Sequence, residues 1–199
     1  MTNIHKVKPV DFFRSYSNYL STLLENLDFN KIEKIANLII CQSRKKKTVY
    51  LIGNGGSAST ASHFATDLIH CGHINHRSII RAISLSDNIS LITAIGNDKG
   101  YKYIFSRQLE RVAQKEDILI AISASGNSDN LIEAFKAAKK MGVTTVALLG
   151  FDGGKMAKIA DYVIHVKTPK GKYGPVEDTH LFLDHMISFY IGSKLNLKK

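Results

Sequence analysis

Residues 48–67 read TVYLIGNGGSASTASHFATD, and the fold follows from this stretch. Val49 to Ile52 is a short apolar run rich in β-formers, the pattern of a strand buried in a parallel sheet. Gly53-Asn54-Gly55-Gly56 breaks the run, and Ser57-Ala58-Ser59 leads into helical spacing at Ala61, Phe64, Ala65 and Leu68. A strand, a glycine turn and a helix N-terminus in succession aim several backbone N–H groups at one point. With the helix dipole behind them, they form an anion pocket suited to phosphate or to sugar oxygens. His63 and Asp67 stand four apart on the helix and therefore share a face. An anion cradle and a His/carboxylate pair on one element point to an active site.

The arrangement occurs a second time. Asp117 to Ile122 reads as a strand, Ser123-Ala124-Ser125-Gly126-Asn127-Ser128 as a loop, and Asp129 to Met141 as an alanine-rich helix. Three serines add hydroxyl donors to the backbone N–H groups, so phosphate is the anion expected there. Further strands are expected at Ala82–Leu85, Thr144–Leu149 and Tyr162–Val166, with a loop from Gly150 to Gly154. Gly96-Asn97-Asp98 reads as a turn after an apolar segment ending at Ile95, and Tyr101 to Val112 as a helix. Strands alternating with helices predict an α/β fold, a three-layer αβα sandwich around a five-stranded parallel sheet. Ligands of such sheets sit beyond the carboxyl ends of the strands, where both loops fall.

Two amphipathic helices precede the sheet, at Val10–Leu27 and Ile32–Cys41, with Asp28 or Asn30 as a possible cap between them. The aromatic stripe of the first, Phe12, Phe13, Tyr16 and Tyr19, favours a subunit interface over plain core packing. One domain is expected over residues 1–199, with 1–47 as its N-terminal helical segment. Residues 48–199 form the αβα core with a closing helix at Val176–Leu195.

A chain of 199 residues with 44% hydrophobic and 22% charged residues is an ordinary globular composition. No apolar run approaches the ~20 residues of a membrane span, and Met1 to Val10 lacks the apolar core of a secretory signal. Cys41 and Cys71 make no disulfide framework, so a cytoplasmic setting is expected. The net charge of +10 comes from scattered basic residues, in blocks at Arg44–Lys47, Lys139-Lys140 and Lys198-Lys199. No RNP-type, zinc-finger or recognition-helix pattern accompanies them, so no nucleic-acid partner is expected. His70, Cys71, His73 and His76 cluster after the first helix of the sheet. Their spacing matches no closed zinc pattern, and they read as a polar connection.

On the closing helix Glu177, His180, Asp184 and His185 fall on one broad face. With His63 and Asp67 they offer a site of two histidines and two carboxylates, which suits zinc or another borderline divalent metal. The same set also suits proton shuttling near neutral pH, and spacing leaves both open.

Gly53–Ala58 (GNGGSA), His63–Ala65 (HFA), Ala94–Asp98 (AIGND), Ser123–Ser128 (SASGNS) and Asp152–Ala157 (DGGKMA) together resemble a sugar isomerase (SIS) domain. More narrowly, nearly the whole chain resembles the bacterial phosphoheptose isomerases, which interconvert sedoheptulose 7-phosphate and glycero-manno-heptose 7-phosphate. The resemblance implies that Asn54, Gly55, Gly56, Asn97 and Asp98 hold sugar hydroxyls. It implies that Ser123, Ala124, Ser125 and Ser128 form the phosphate site, with Ser57 beside it. It also implies zinc on His63, Asp67, Glu177 and His185. The Phe12/Phe13/Tyr16 stripe of the first helix, for its part, predicts a homo-oligomer, a tetramer. Asp67 stands where the family usually has Glu, Glu177 where it has Gln, and Ala124 where Thr is common. Aldose–ketose isomerisation needs a base for a carbon-bound proton and an acid/base for the hydroxyl proton. Asp67 or Glu177 is expected as the base and His185 as the acid/base. Two rivals are weaker. A non-catalytic SIS module, like the protein that associates with the bacterial replication initiator, has no need of His63, Asp67, Glu177 and His185. A dinucleotide-binding dehydrogenase fits Gly53-x-Gly55-x-x-Ala58 but leaves the serine loop unexplained.

Overall fold

The computed structural model describes residues 8–71, 73–74 and 77–196, with side chains for 8–71 and 79–195. Helix α1 (Pro9–Glu25) opens on Pro9, whose missing N–H costs nothing in a first turn. Helix α2 (Phe29–Arg44) is capped by Asp28, which accepts from the Lys31 N–H at 3.1 Å. Strand β1 (Thr48–Gly53) and helix α3 (Gly56–Cys71) follow. The backbone then forms a small antiparallel pair, β2 (His73–Ile74) and β3 (Arg77–Ser78). His76 of the histidine cluster lies outside the described residues, as do the Lys198-Lys199 tail and residues 1–7. Strand β4 (Arg81–Ser84) leads to α4 (Ile89–Lys99), a 3₁₀ turn at Tyr101–Tyr103 and α5 (Ser106–Val112). Then come β5 (Ile118–Ser123), α6 (Asp129–Met141), β6 (Thr144–Leu149), β7 (Tyr162–His165) and α7 (Tyr173–Asn196).

The five strands of the main sheet are all parallel, in the order β4-β1-β5-β6-β7. Side chains alternate across it with the period of two that a strand imposes. Val49, Leu51, Ile118, Ile120, Ile122, Val146 and Leu148 face a core shared with α2, α3 and α7. Tyr50, Ile52, Leu119, Ala121, Ala147 and Leu149 face a second core shared with α5 and α6. Both faces are covered, which is why the strands read as continuous apolar runs.

Two local expectations are corrected. Gly96, Asn97 and Asp98 are not a turn but lie in the last turn of α4, which ends at Lys99 and which Asn88 caps by accepting from Leu91 N–H at 3.0 Å. A single interior glycine costs a helix only ~1 kcal/mol, and α4 stops at Gly100, whose φ is 98°. The stretch from Tyr101 to Val112 is not one helix. Ile104 and Phe105 are both buried at 1% exposure, and neighbours on a helix point ~100° apart, so the chain breaks between the 3₁₀ turn and α5 to bury both.

Helix α7 runs alongside α3 in the same direction. Glu177 lies against Gly56, His185 meets His63, and Gly192 faces Cys71. Its core-facing line is Val176, His180, Leu183, Asp184, Ile187 and Ile191, all buried. The expected single polar face therefore divides. His180 and Asp184 turn inward because they fall at core-facing offsets, while Glu177 and His185 keep access to solvent.

Candidate active site

Strand β1 feeds α3 on one face of the sheet, and its neighbour β5 feeds α6 on the other. Their carboxyl ends therefore flank a switch point, where the departing loops open a crevice. Gly53 ends β1 so close to α3 that a Cβ there would lie 2.3 Å from the Ser57 carbonyl oxygen. Gly126 has φ 62°, and a Cβ on it would lie 2.1 Å from the Gly153 carbonyl oxygen. The serine loop and the 150–154 loop thus interlock, a fit that only glycine permits.

A cavity of about 190 Å³ occupies the crevice, lined by Asn54, Ser57, Ser123, Ser125, Ser128 and Glu177 among others. Ser123 Oγ accepts from the Gly126 N–H at 3.1 Å and Ser125 Oγ from the Asn127 N–H at 3.3 Å. Each hydroxyl has an acceptor site filled and its proton left to donate, which suits an anion. Ser128 is the N-cap of α6 and makes no side-chain capping bond there. Ala124 lines the same cavity. Asn54 is held by Asn130 in a reciprocal amide pair (3.0 and 2.8 Å) and receives the Tyr101 hydroxyl at 3.0 Å.

Further along α3 and α7 a second group of side chains converges. His63 Nε2 lies 3.4 Å from Asp67 Oδ2, His185 Nε2 3.7 Å from the same oxygen, and the two ring nitrogens are 3.3 Å apart. Asp184 joins them, and one ligand atom from each of the four lies within 4.8 Å of all the others. Ligands bound at 2.0–2.1 Å around a tetrahedral ion stand ~3.3–3.4 Å apart, so the His63, Asp67 and His185 atoms already have the spacing of a metal face. Two imidazoles with carboxylates are a donor set for zinc and similar cations. The residues present fit a divalent metal. Burial pushes the Asp184 carboxyl up to about 8, with Asp67 adding to it and Ser188 opposing it. Burial also pushes the Cys71 thiol up to about 12, Asp67 and Asp184 contributing.

The structure brings Asn54, Ser57, Ser123, Ala124, Ser125, Ser128 and Glu177 to one cavity, and His63, Asp67 and His185 to the cluster. It does not bring Glu177 into that cluster: its carboxylate lies beside Gly56, 3.0 Å from where a Cβ would stand. Asp98 lines a different cavity, with Leu91, Arg107 and Arg111, and Asn97 donates to Asp98 at 3.0 Å.

A family model described as a SIS domain matches residues 11–150. The phosphoheptose isomerase of Sulfurimonas denitrificans is 46% identical over 175 residues, spanning 87% of this chain and 88% of that one. The phosphoheptose isomerase of Helicobacter pylori is 37% identical, over 88% and 89% of the two chains. The structure of phosphoheptose isomerase from Neisseria gonorrhoeae superposes with a TM-score of 0.82 at 31% identity, covering 92% of this chain and 96% of that one. The chain belongs to the SIS domain family, among its phosphoheptose isomerases.

Within this SIS domain two participants, Asn130 and Tyr173, escaped the sequence reading. Asn130 holds Asn54 and is only 2% exposed; a second asparagine one residue into a helix carries no distinguishing signal. Tyr173 lines the serine cavity and packs edge-on against Phe151 at 5.0 Å. It belongs to a first turn of α7 that starts before Pro175, tolerated there because first-turn N–H groups have no intrahelical partner. Asp184 was visible as part of a polar face, but nothing in the spacing ranked it above Glu177. Among the described residues no helix is long and apolar enough to cross a membrane.

Proposed function

We propose that this chain is a cytoplasmic aldose–ketose isomerase of a phosphosugar. Its substrate in this reading is sedoheptulose 7-phosphate, converted to D-glycero-D-manno-heptose 7-phosphate for surface heptose synthesis in lipopolysaccharide or capsule. The carrying observation is the placement of a serine-lined cavity and a His/carboxylate cluster along one helix pair. From Glu177 to Asp184 is two turns of α7, ~10 Å along the axis, a span that an open-chain heptose phosphate can bridge.

Ser123, Ser125 and Ser128 take the phosphate, their hydroxyl protons donating to its oxygens while the N-terminus of α6 adds its dipole. This handle places the carbonyl end toward α7. Asn54, held rigid by Asn130, and the Gly55-Gly56 backbone orient sugar hydroxyls, with Ser57 beside them. Asn97 and Asp98 are assigned to hydroxyls by the family resemblance alone. Glu177, on the cavity wall, removes the carbon-bound proton in part or whole, with Asp67 the other candidate base. His185 moves the hydroxyl proton, a role suited to an imidazole near neutral pH. The cofactor of this reading is zinc on His63, Asp67 and His185 with a further carboxylate, Glu177 by resemblance. Such an ion supplies Lewis-acid stabilisation of negative charge developing on the sugar oxygens. The assembly in this reading is a homotetramer.

The test is incubation of the purified protein with sedoheptulose 7-phosphate and other ketose phosphates, with products followed by NMR because isomerisation leaves mass unchanged. Conversion to the aldose heptose phosphate is expected. Turnover of a different ketose phosphate alone would reassign the substrate, and no turnover of any would remove the reading.

A further inference from the structure

We propose that Tyr101 is a positioning residue of the serine-lined cavity. With Asn130 it fixes the Asn54 side-chain amide, so that Asn54 meets a ligand with an N–H and never with its carbonyl. The inference rests on the isomerase reading only for the kind of ligand, a phosphosugar rich in acceptor oxygens. The orientation of the amide comes from hydrogen bonding alone.

An amide side chain can be turned end for end, so its orientation is read from a neighbour that cannot turn. That neighbour is the backbone of α6. The Leu131 N–H donates to Asn130 Oδ1 at 3.0 Å, and a backbone N–H at that distance can meet only an acceptor. With Asn130 fixed in this way, the Asn54 atom facing its Oδ1 is Nδ2, which donates at 3.0 Å. Asn130 Nδ2 returns a bond to Asn54 Oδ1 at 2.8 Å. The Tyr101 hydroxyl donates to the same oxygen at 3.0 Å. An amide oxygen has two lone pairs, and both are now taken; the NH2 group has two hydrogens, and Asn130 uses one. Among the described residues, what remains to Asn54 at the cavity wall is a single N–H.

Tyr101 lies on the 3₁₀ turn after α4 and is 61% exposed. Little of its ring is spent on packing, so the hydroxyl is the part in use. Without that hydroxyl, Asn54 Oδ1 keeps a free lone pair, and the hold on the amide rests on Asn130 alone. The serine hydroxyls of the cavity can each donate or accept, whereas Asn54, held from two sides, is a donor only. It therefore selects an acceptor oxygen at its place in the cavity, on phosphate or on the sugar, and rejects a group that can only donate. Because the amide is fixed before the ligand arrives, none of the binding energy goes into orienting it.

The test is a double-mutant cycle read by binding. Parent, Tyr101→Phe, Asn54→Ala and the double variant are titrated by calorimetry with a heptitol 7-phosphate. This is sedoheptulose 7-phosphate reduced at its carbonyl; it keeps the phosphate and hydroxyls and cannot isomerise. Tyr101→Phe is expected to raise Kd by ~3–10-fold, the worth of one neutral hydrogen bond. With Asn54→Ala already in place, the same substitution is expected to change Kd by less than ~2-fold, because the group it positions is gone. Asn54→Ser replaces Asn54→Ala in the cycle if the latter does not fold. The thermal midpoint of Tyr101→Phe should match the parent's. Parent-like affinity in Tyr101→Phe overturns the proposal. Equal losses in both backgrounds overturn it too, since Tyr101 would then act without Asn54. A parent that binds no heptitol phosphate removes the phosphosugar reading and this proposal with it, whereas binding with an unmoved Tyr101→Phe removes this proposal alone. Turnover of sedoheptulose 7-phosphate, followed by NMR in the same preparations, reports separately on the isomerase reading.

Discussion

At the scale of single residues, the serine loop and Glu177 carry the sharpest expectations. Each serine hydroxyl donates to an anion in the proposed complex, and a charge-assisted bond is worth ~1.5–3 kcal/mol. Ser125→Ala and Ser128→Ala should therefore each weaken phosphosugar affinity by ~10–100-fold by calorimetry, with little change in thermal midpoint. Parent-like affinity in both would move the phosphate elsewhere. Glu177→Gln keeps the shape of the side chain and removes its basicity. Turnover should fall by ~10²–10⁴-fold, the usual contribution of a positioned base, with KM nearly unchanged. Near-normal turnover would return the base role to Asp67. Much of this was legible beforehand, because glycines and serines between a strand and a helix have few other uses. Asn130 and Tyr173 were not legible: each matters through what it touches, and no spacing rule encodes that.

At the scale of elements, the two interlocked loops and the buried face of α7 set the expectations. Gly126→Ala places a methyl group 2.1 Å from the Gly153 carbonyl oxygen at a positive φ. It should cost at least ~2 kcal/mol in urea unfolding and displace the serine loop, so affinity should fall with stability. Helix α7 buries His180 completely, and among the described residues neither ring nitrogen has a hydrogen-bond partner of good geometry. Burial lowers its pKa from the ordinary value to about 4, the Leu149 backbone opposing weakly. The unfolded chain binds this proton more readily than the native one between pH ~6.5 and ~4, so stability must fall as pH drops through that window. The contribution is on the order of 3 kcal/mol at full protonation of the unfolded state. His180→Leu, which leaves no polar atom to satisfy, should flatten the decline between pH 6.5 and 4.5 in calorimetric scans. An unchanged slope would show that other groups control it.

At the scale of the whole molecule, the exposed apolar residues need a place. Phe12 and Phe13 are 48% and 65% exposed on α1, and Phe189 is 79% exposed on α7. Tyr16, grouped with the first two by sequence, is instead tied to its own chain, donating to Asp178 at 2.5 Å. That carboxylate raises the Tyr16 hydroxyl to about 12. The α1 stripe is therefore narrower than the periodicity implied, and Phe12 with Phe13 is the part available to a partner. In the proposed homotetramer, light scattering should give about 88 kDa, four copies of the chain, by closed symmetry. A double Phe12→Glu, Phe13→Glu variant should shift to a smaller species. A monomeric parent mass at micromolar concentration would rule the tetramer out.

By itself the sequence determined the layers, the parallel sheet, the two glycine- and serine-rich loops and the helices bearing the histidines. These features depend on local chemistry: apolar runs of strand length, glycines where side chains cannot fit, and 3.6-residue spacing. Only the tertiary structure decided how α7 is rotated against α3. That rotation depends on which of its nearly all-round apolar positions find the best packing partners across three other helices and a sheet. It sends His180 and Asp184 into the core, leaves His185 beside His63, and separates Glu177 from both. A helix apolar on one side would have announced its orientation; one apolar on nearly every side leaves it to its neighbours.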